Sequence, residues 1–436
     1  MTHSADQGGA GSTDTIYAHS SGRPPAAIAV IRISGPKAWE AAEQLGGPLP
    51  AARKAAVRRL RNADGLVLDD ALVLPFEAPR SATGEDVVEL HCHGGRAVVE
   101  AVLSALARHP SLRAAAPGEF TRRAFFNGRL DLTEAEGLAD LLEAETESQR
   151  RSALALLEGG LRRQVEQWSA RITDLSARAE AAIDYVGDED ETGAAELGLA
   201  DEAAEVRAEM LEWLARPRAE ALKEGIRVVL AGPPNAGKSS LLNALVSSDK
   251  AIVTPVAGTT RDIIEVPVTL AGVPFTFVDT AGLRESGDEV ERIGVERAEQ
   301  QLRSADILLW MGEPEQAPHH PRLVRVHPRS DVPNRAPPSP ASLPVSAVTG
   351  RGLSQLVGRL TEIAVTLLPP EGSVALNRRQ ALAIEECALE LSRVTEDIVL
   401  TAEGFRHARA SLDRLTGRAG VEDVLDALFG RFCLGK

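Results

Sequence analysis

Residues 232–240 constrain this chain more than any other stretch. They read Gly-Pro-Pro-Asn-Ala-Gly-Lys-Ser-Ser, with Gly232, Gly237, Lys238 and Ser239 spaced as G-x-x-x-x-G-K-[ST]. The preceding run, residues 226–231, is apolar and β-branched and reads as a short buried strand; residues 240–245 read as the first turns of a helix. A glycine-rich turn between a strand and a helix lets backbone N–H groups curl around phosphate oxygens, and the helix N-terminus adds its positive end. Asn235, Ala236, Gly237, Lys238, Ser239 and Ser240 are the expected cradle. Lys238 would reach the β- and γ-phosphates, and the Ser239 hydroxyl would ligate Mg²⁺. The bland reading is a ligand-free strand-to-helix turn.

Two later stretches favour the nucleotide. Residues 257–262, Ala-Gly-Thr-Thr-Arg-Asp, read as a first switch, in which Thr260 completes the Mg²⁺ shell once a γ-phosphate is present. Residues 275–278 form a strand that delivers Asp279, a Walker-B carboxylate, followed by Thr280, Ala281 and Gly282, whose backbone N–H approaches the γ-phosphate. Together these describe a P-loop GTPase segment at 225–370.

The bulk composition excludes several classes. At 436 residues the chain has room for two or three domains. No run approaches the ~18 apolar residues of a membrane span. Residues 1–14 are polar and rich in Gly and Ser, and read as a disordered leader rather than a signal peptide. The three cysteines, Cys92, Cys387 and Cys433, are far apart, which suits a reduced cytoplasmic protein. A net charge of −15 argues against a broadly basic nucleic-acid coat.

Residues 15–127 read as an α+β domain. A strand at 26–33 leads to a helix from residue 34, residues 66–68 and 71–75 flank a turn holding two aspartates, and a strand at 86–93 precedes a helix at 96–107. In that strand Glu89, His91 and His93 share a face with Val87, opposite Val88, Leu90 and Cys92. The polar face is either solvated or a ligand face. His91 and His93 could chelate a metal, but no third ligand sits at a telling spacing. The basic run 53–61 reads as a solvated helix face, with contact to a nucleic acid as the alternative. Residues 128–224 are rich in Ala, Leu, Glu and Arg with apolar positions at helical spacing, broken near 187–198, and residues 371–436 resume the same texture. The arrangement expected is one helical domain split by the inserted GTPase domain. Inside that domain 318–344 reads as a loop, 343–347 as the last strand and 352–368 as the last helix.

The GTPase segment poses a catalytic problem. A Ras-like enzyme places a Gln after the D-x-x-G glycine to orient water, and here that residue is Leu283. Asn235 offers a side-chain carbonyl beside the phosphates, where a monovalent cation would act electrostatically as an arginine finger does. Glu291, after the second switch, either holds the water or belongs to a solvated helix face.

These residues, with the two ends of the chain, resemble the tRNA-modification GTPase family called MnmE or TrmE. The likeness runs from Asp14 to Lys436 and is carried by Arg32-Ile-Ser-Gly, Thr83-Gly-Glu-Asp, His93-Gly-Gly, Pro117-Gly-Glu-Phe, the motifs above, and the terminal Phe432-Cys-Leu-Gly-Lys. Leu434 stands where the family has Ile. The resemblance implies a multidomain α/β protein: a folate-binding-like N-terminal dimerisation domain, a helical domain, and an inserted Ras-like P-loop GTPase domain. It implies a tetrahydrofolate derivative (5-formyl or 5,10-methylene) held by Arg32, Glu89, Arg129 and Lys436, with Arg129 replacing the usual Lys. It implies K⁺ ligated by Asn235, Thr254, Val256 and Thr259, in a loop where Pro255, Ala257 and Gly258 also line the nucleotide. Glu291 would orient the water. Cys433 would be the redox or nucleophilic residue, against the alternative of a buried terminal thiol. The partners implied are a second copy of the chain, a flavin-dependent protein of the MnmG (GidA) type completing a heterotetramer, and tRNA. With that partner the family installs a (carboxymethyl)aminomethyl group at C5 of the wobble uridine.

One departure concerns the base. GTPases read guanine with Asn-Lys-x-Asp; residues 326–331 here are Val-His-Pro-Arg-Ser-Asp. Asp331 remains to accept from the guanine N1 and N2 hydrogens, and Ser346 and Ala347 match the backbone element facing O6. Pro328 and Arg329 replace the Asn and Lys, so guanine affinity or selectivity is expected to weaken. The competing readings are a regulatory or ribosome-assembly GTPase switch without modification chemistry, and a dynamin-like membrane remodeller. The chain shows neither a KH-type Gly-x-x-Gly loop in a helical tail nor a basic amphipathic tip.

Overall fold

The computed structural model describes residues 14–184, 198–248, 251–253, 264–279, 302–333, 339–420, 422–432 and 435. They fall into two compact units, Met1–Leu142 with Leu157–Ala177 and Phe405–Lys436, and Glu143–Leu156 with Arg178–Gly404.

The first unit is built on a six-stranded sheet. Its strands are β1 (Thr15–His19), β2 (Ile28–Ser34), β3 (Ala56–Arg61), β4 (Val67–Phe76), β5 (Val87–His93) and β6 (Leu112–Ala114), in the order β3-β4-β5-β2-β1-β6. β6 runs parallel to β1, and the other pairs are antiparallel. Alternate residues Ile31, Ile33, Leu60, Val73, Val88, Leu90 and Cys92 are buried against α1 (Ala38–Gly46) and α2 (Arg96–Ala107). Ala38, Ala41 and Ala42 make up most of the buried face of α1 and, being small, let it lie close to the sheet. The opposite face keeps Arg32, Glu89 and His91, with Arg32 and Glu89 in register.

Two local expectations need correction here. The two aspartates do not make a turn: β4 runs unbroken through Asp69 and Asp70. Each is satisfied laterally. Asp69 accepts from the His93 backbone N–H and Nδ1, both at 2.7 Å, and Asp70 pairs with Arg59 at 2.9 Å. The basic run is likewise a strand: in β3, Val57, Arg59 and Arg61 are exposed while Leu60 is buried. Exposed arginines along this edge strand also discourage further strand pairing.

The helices α3 (Glu119–Phe126) and α4 (Leu132–Glu143) and the later helix Glu422–Gly430 also belong to this unit, with Leu132, Ala135 and Ala139 packed on Leu425, Leu428, Phe429 and Phe432. This packing carries the end of the chain to the sheet. Gly435 has φ +90°, and a Cβ there would stand 2.2 Å from the His19 carbonyl oxygen, so only glycine fits against the end of β1.

The second unit contains α5 (Glu147–Leu157) in large part, α7 (Leu199–Leu214), α8 (Glu220–Lys223) and a seven-stranded sheet; α6 (Gly160–Asp184) contributes to both units. The strands are β7 (Ile226–Ala231), β8 (Ala251–Val253), β9 (Ile264–Leu270), β10 (Val273–Asp279), β11 (Ile307–Trp310), β12 (Leu323–Pro328) and β13 (Leu343–Val345), in the order β13-β12-β11-β7-β10-β9-β8. β7 lies parallel to both β10 and β11, with nearly every residue buried, as expected of a strand covered on both faces. The core joins Val228, Leu230, Phe275, Phe277 and Leu309 to Leu241 and Leu245 of α9 (Lys238–Val246) and to Leu356 and Leu360 of the helix Leu353–Val365. The stretch expected to be a loop from 318 to 344 contains β12, whose Val324 and Val326 are buried in this core. The prolines and histidines around it hid a short alternating strand. The helix Arg378–Leu391 packs on α7 and begins at a capping box: Asn377 accepts from the Gln380 N–H at 2.9 Å, and Gln380 accepts from the Asn377 N–H at 3.1 Å. Among the described residues no helix is long and apolar enough to cross a membrane.

Candidate functional site

The phosphate loop leaves the end of β7 and enters α9. Gly232 has φ +151°, and a Cβ there would lie 3.1 Å from the Met311 carbonyl carbon, so the turn can pass β11 only without a side chain. Asn235 follows at φ +58°, a left-handed backbone that asparagine tolerates better than most residues. The Lys238 side chain is tucked into the loop, with Nζ donating to the Gly232 and Pro233 carbonyls at 3.1 Å each. Ser239 Oγ donates to Asp279 Oδ2 at 2.5 Å. A hydroxyl and a carboxylate held this close at a helix N-terminus are hard oxygen donors of the kind Mg²⁺ takes. Asp279 is brought there by the parallel pairing of β10 with β7, where it stands opposite Leu230.

Beside the loop lies a cavity of about 320 Å³. Gly237, Ser240 and Leu241 form its phosphate-loop side, Pro328, Arg329, Asp331 and Val332 the loop after β12, and Val345, Ala347 and Val348 the end of β13. Its chemistry is mostly apolar, with Asp331 as the acidic group. The Ser346 hydroxyl accepts from the Val348 and Thr349 N–H groups at 3.3 and 3.1 Å, which leaves its proton for the Asp331 carboxylate. That bond, a backbone N–H and the nearby Arg329 charge hold the Asp331 carboxyl below the usual carboxylate range. Arg329 turns towards the phosphate loop, its Nη2 donating to the Asn235 carbonyl at 2.9 Å.

In the first unit Arg32 Nε and Nη2 both donate to Glu89 Oε1, at 3.0 and 2.8 Å, and His91 Nε2 lies 3.3 Å from Glu89 Oε2. The Arg32 guanidinium stands 5.6 Å from the centroid of the Phe120 ring. Arg129 occupies another loop, beside Gly84 and Asn127, and Asn127 Nδ2 donates to the Thr83 carbonyl at 2.7 Å. Behind this loop Arg123 binds three carboxylates: Asp14 at 2.8 Å, Glu85 at 3.1 Å and Glu119 at 3.1 Å. The polar strand face is therefore an ordered, partly buried set of hydrogen-bonded side chains. The histidine pair does not form a chelate: His91 faces Glu89 and His93 faces Asp69. Among the described residues no group of three His, Cys, Asp or Glu is placed to hold a metal.

Comparison with known proteins agrees with this architecture. A family model described as the GTP-binding protein TrmE N-terminus matches residues 15–129, and one described as the MnmE helical domain matches residues 132–433. The tRNA modification GTPase MnmE of Erythrobacter litoralis (strain HTCC2594) is 53% identical over 426 residues, covering 97% of this chain and all of that protein. Its counterpart in Rhizorhabdus wittichii is 54% identical over 435 residues, covering 98% of each. The chain belongs to the MnmE family.

The MnmE helical-domain match runs from residue 132 to residue 433, so the helical segments on both sides of the nucleotide-binding segment fall under one family model. Several expected site residues lie outside the described residues: Thr254, Pro255, Val256, Ala257, Gly258, Thr259, Thr260, Thr280, Ala281, Gly282, Glu291, Cys433 and Lys436. Asn235, Ala236, Gly237, Lys238, Ser239, Ser240, Asp279, Asp331, Ser346 and Ala347 are described; Asn235 to Ser240 make the phosphate loop and helix start, Asp279 meets Ser239, and Gly237, Ser240, Asp331 and Ala347 line the cavity, with Ser346 next to Ala347. Sequence reasoning missed the Phe120 ring beside Arg32, the Arg123 cluster, and the reach of Arg329 to Asn235. The Pro117-Gly-Glu-Phe120 signature was the available signal for the first two, and the Arg at a Lys position for the third.

Proposed function

We propose that the chain hydrolyses GTP to GDP and phosphate with Mg²⁺ and K⁺, and couples that cycle to modification of tRNA. The observation that carries the reading is the Ser239–Asp279 contact of 2.5 Å at the start of α9, next to a base-sized cavity holding Asp331. Ser239, Asp279 and Thr260 would hold Mg²⁺, which would supply charge neutralisation on the β- and γ-phosphates. Lys238 exchanges the Gly232 and Pro233 carbonyls for phosphate oxygens, and the backbone N–H groups from Ala236 to Ser240 bind the rest. Asp331 accepts from the guanine N1 and N2 hydrogens, while Ala347 borders O6. Asn235, with Thr254, Val256 and Thr259, would hold K⁺, which would supply positive charge against that growing between the β- and γ-phosphates. Glu291 orients the water that attacks the γ-phosphorus as the bond to the β-bridging oxygen breaks.

In the first unit Arg32, Glu89, Arg129 and Lys436 hold a tetrahydrofolate derivative. The Arg32–Glu89 pair fits such a group, since it offers a donor and an acceptor side by side next to the Phe120 ring. Two copies of the chain act in the cytoplasm with a flavin-dependent partner, adding a (carboxymethyl)aminomethyl group to C5 of the wobble uridine, with Cys433 as its reactive thiol. The test is steady-state GTP hydrolysis in K⁺ against Na⁺, repeated with excess ATP. Turnover in K⁺ that ATP leaves untouched is expected. Turnover indifferent to the cation refutes the Asn235 role, and competition by ATP refutes guanine selectivity through Asp331. Loss of wobble-uridine modification in cells lacking the chain, restored by wild type and not by Cys433→Ser, tests the second half.

A further inference from the structure

The edge of the seven-stranded sheet carries a second cavity. β12 pairs with β13 only from Val326 to Pro328. Leu323, Val324 and Arg325 pair with β11 on one side and, among the described residues, with no strand on the other. A cavity of about 540 Å³ opens there, bounded by Val324 and Arg325 of β12, Leu343 of β13, and Gln355, Gly358 and Arg359 of the helix Leu353–Val365. It shares no lining residue with the cavity beside the phosphate loop.

Three details set this cavity apart from an ordinary surface crevice. Arg325 Nε is enclosed and has no acceptor among the described residues. An enclosed donor left unanswered is unfavourable, and turning the guanidinium fork to an acceptor in the cavity removes the deficit. Arg359 donates to Glu362, which also lines the cavity, at 2.9 Å. Those side chains are 56% and 68% exposed, so the pair holds Arg359 only weakly. Gly358 lies inside the helix, where glycine is unfavourable, yet a Cβ there would meet nothing within 4 Å. Close packing does not call for glycine at this position, and its missing side chain widens the cavity.

We propose that this cavity is a binding site for a small organic anion, a carboxylate or phosphate monoester with a short apolar chain. Arg325 and Arg359 outnumber Glu362, and each guanidinium offers two parallel N–H groups to the paired oxygens of such a head group. The Gln355 amide adds a further donor, while Val324 and Leu343 face the chain. The site stands whether or not the nucleotide reading holds.

The test is saturation-transfer difference NMR on the full chain with excess GDP and Mg²⁺, which keeps the phosphate loop occupied. The probes are butyrate and butyl phosphate, with butanol as the neutral control. Saturation of the alkyl protons of at least one acid, well above butanol, is expected. Butyrate alone assigns a carboxylate site, butyl phosphate alone a phosphate site, and both an anion site indifferent to the head group. Arg325→Gln should weaken binding by about tenfold. Gly358→Glu and Gly358→Lys both improve on glycine in a helix, so neither threatens the fold. The glutamate should weaken binding by a similar factor, and the lysine should leave it unchanged or stronger. Neither acid exceeding butanol, a signal that survives Arg325→Gln, or equal effects of glutamate and lysine at 358 would each overturn the proposal. Failure of GDP to bind would overturn the nucleotide reading alone, because the butyrate signal and the three variants still report on this cavity.

Discussion

Arg123→Met is the perturbation whose cost follows most directly from the structure. The Arg123 side chain is 7% exposed and meets Asp14, Glu85 and Glu119 within 3.1 Å, as well as the Asp14 carbonyl. Removing one partner of a buried ion pair costs about 3–5 kcal/mol, because the remaining charge is left without its counter-ion. Here the loss is unequal. Asp14 and Glu119 keep Arg113, which contacts each at 2.5 Å. Among the described residues Glu85 then keeps the Ser34 hydroxyl, at 2.7 Å, and its side chain is 15% exposed. The cost therefore falls mainly on one carboxylate, and about 3 kcal/mol is expected. That corresponds to a little over a hundredfold in a local opening constant. Native-state hydrogen exchange followed by mass spectrometry, on peptides covering β2 and β5, reads this in the first unit alone, which a melt of a multidomain chain does not. Adding Glu85→Gln to Arg123→Met removes the stranded charge and should recover about 1–2 kcal/mol. A change under about 0.5 kcal/mol, or a loss that Glu85→Gln leaves untouched, would refute the argument that a stranded carboxylate sets the cost. If the proposed folate site is correct, the same variant should weaken folate binding, because Thr83, Gly84 and Glu85 form the loop against which Asn127 and Arg129 rest.

Three other outcomes are expected. On the proposed reading Asp331 accepts from the guanine N1 and N2 hydrogens, so Asp331→Asn should lower GDP affinity by about a hundredfold or more while xanthosine diphosphate, with a carbonyl at C2, gains; unchanged GDP binding would show that Asp331 does not read the base. The hydrogen bond that His93 donates to Asp69, with the charge of that carboxylate, raises the His93 pKa above its ordinary value. Because the folded value is the higher one, this stabilisation is present below about pH 6.5 and is lost as pH rises through the folded value. NMR titration should find His93 elevated in the wild type and returned to the ordinary range in Asp69→Asn. Finally, burial pushes the Cys92 and Cys387 thiols up to about 12, so roughly one molecule in ten thousand carries either thiolate at pH 8. Iodoacetamide should leave both unmodified in the native chain and label them only in denaturant, as read by peptide mass mapping.

How much of this was legible in advance depended on how local each signal was. The phosphate loop needed only residues 226–245, because strand, glycine turn and helix start are short-range features with strict steric demands. The helix at 96–107 and the polar face of β5 came from simple periodicity, and both stand as expected. β3 and β4 were misread for the opposite reason. A run of arginines is neutral between helix and strand, and a pair of aspartates usually marks a turn. Only the neighbouring strands supplied Arg59 and His93 to satisfy them. β12 was hidden in the same way, since its two buried valines gain their meaning from the core they enter.

The sequence by itself supplied the groups available to this protein: a glycine-rich loop with Lys238 and Ser239, the carboxylates of Asp279 and Asp331, and a terminal Phe-Cys-Leu-Gly-Lys. Tertiary structure decided which of those groups meet. The Ser239–Asp279 contact depends on the register of two parallel strands, the seat of Gly435 on the packing of a helix from the far end of the chain, and the Arg329–Asn235 bond on two strained turns facing each other. These contacts join residues 40 or more positions apart. At that separation chain connectivity imposes no geometry, and burial of the sheets and helices between the partners fixes it instead.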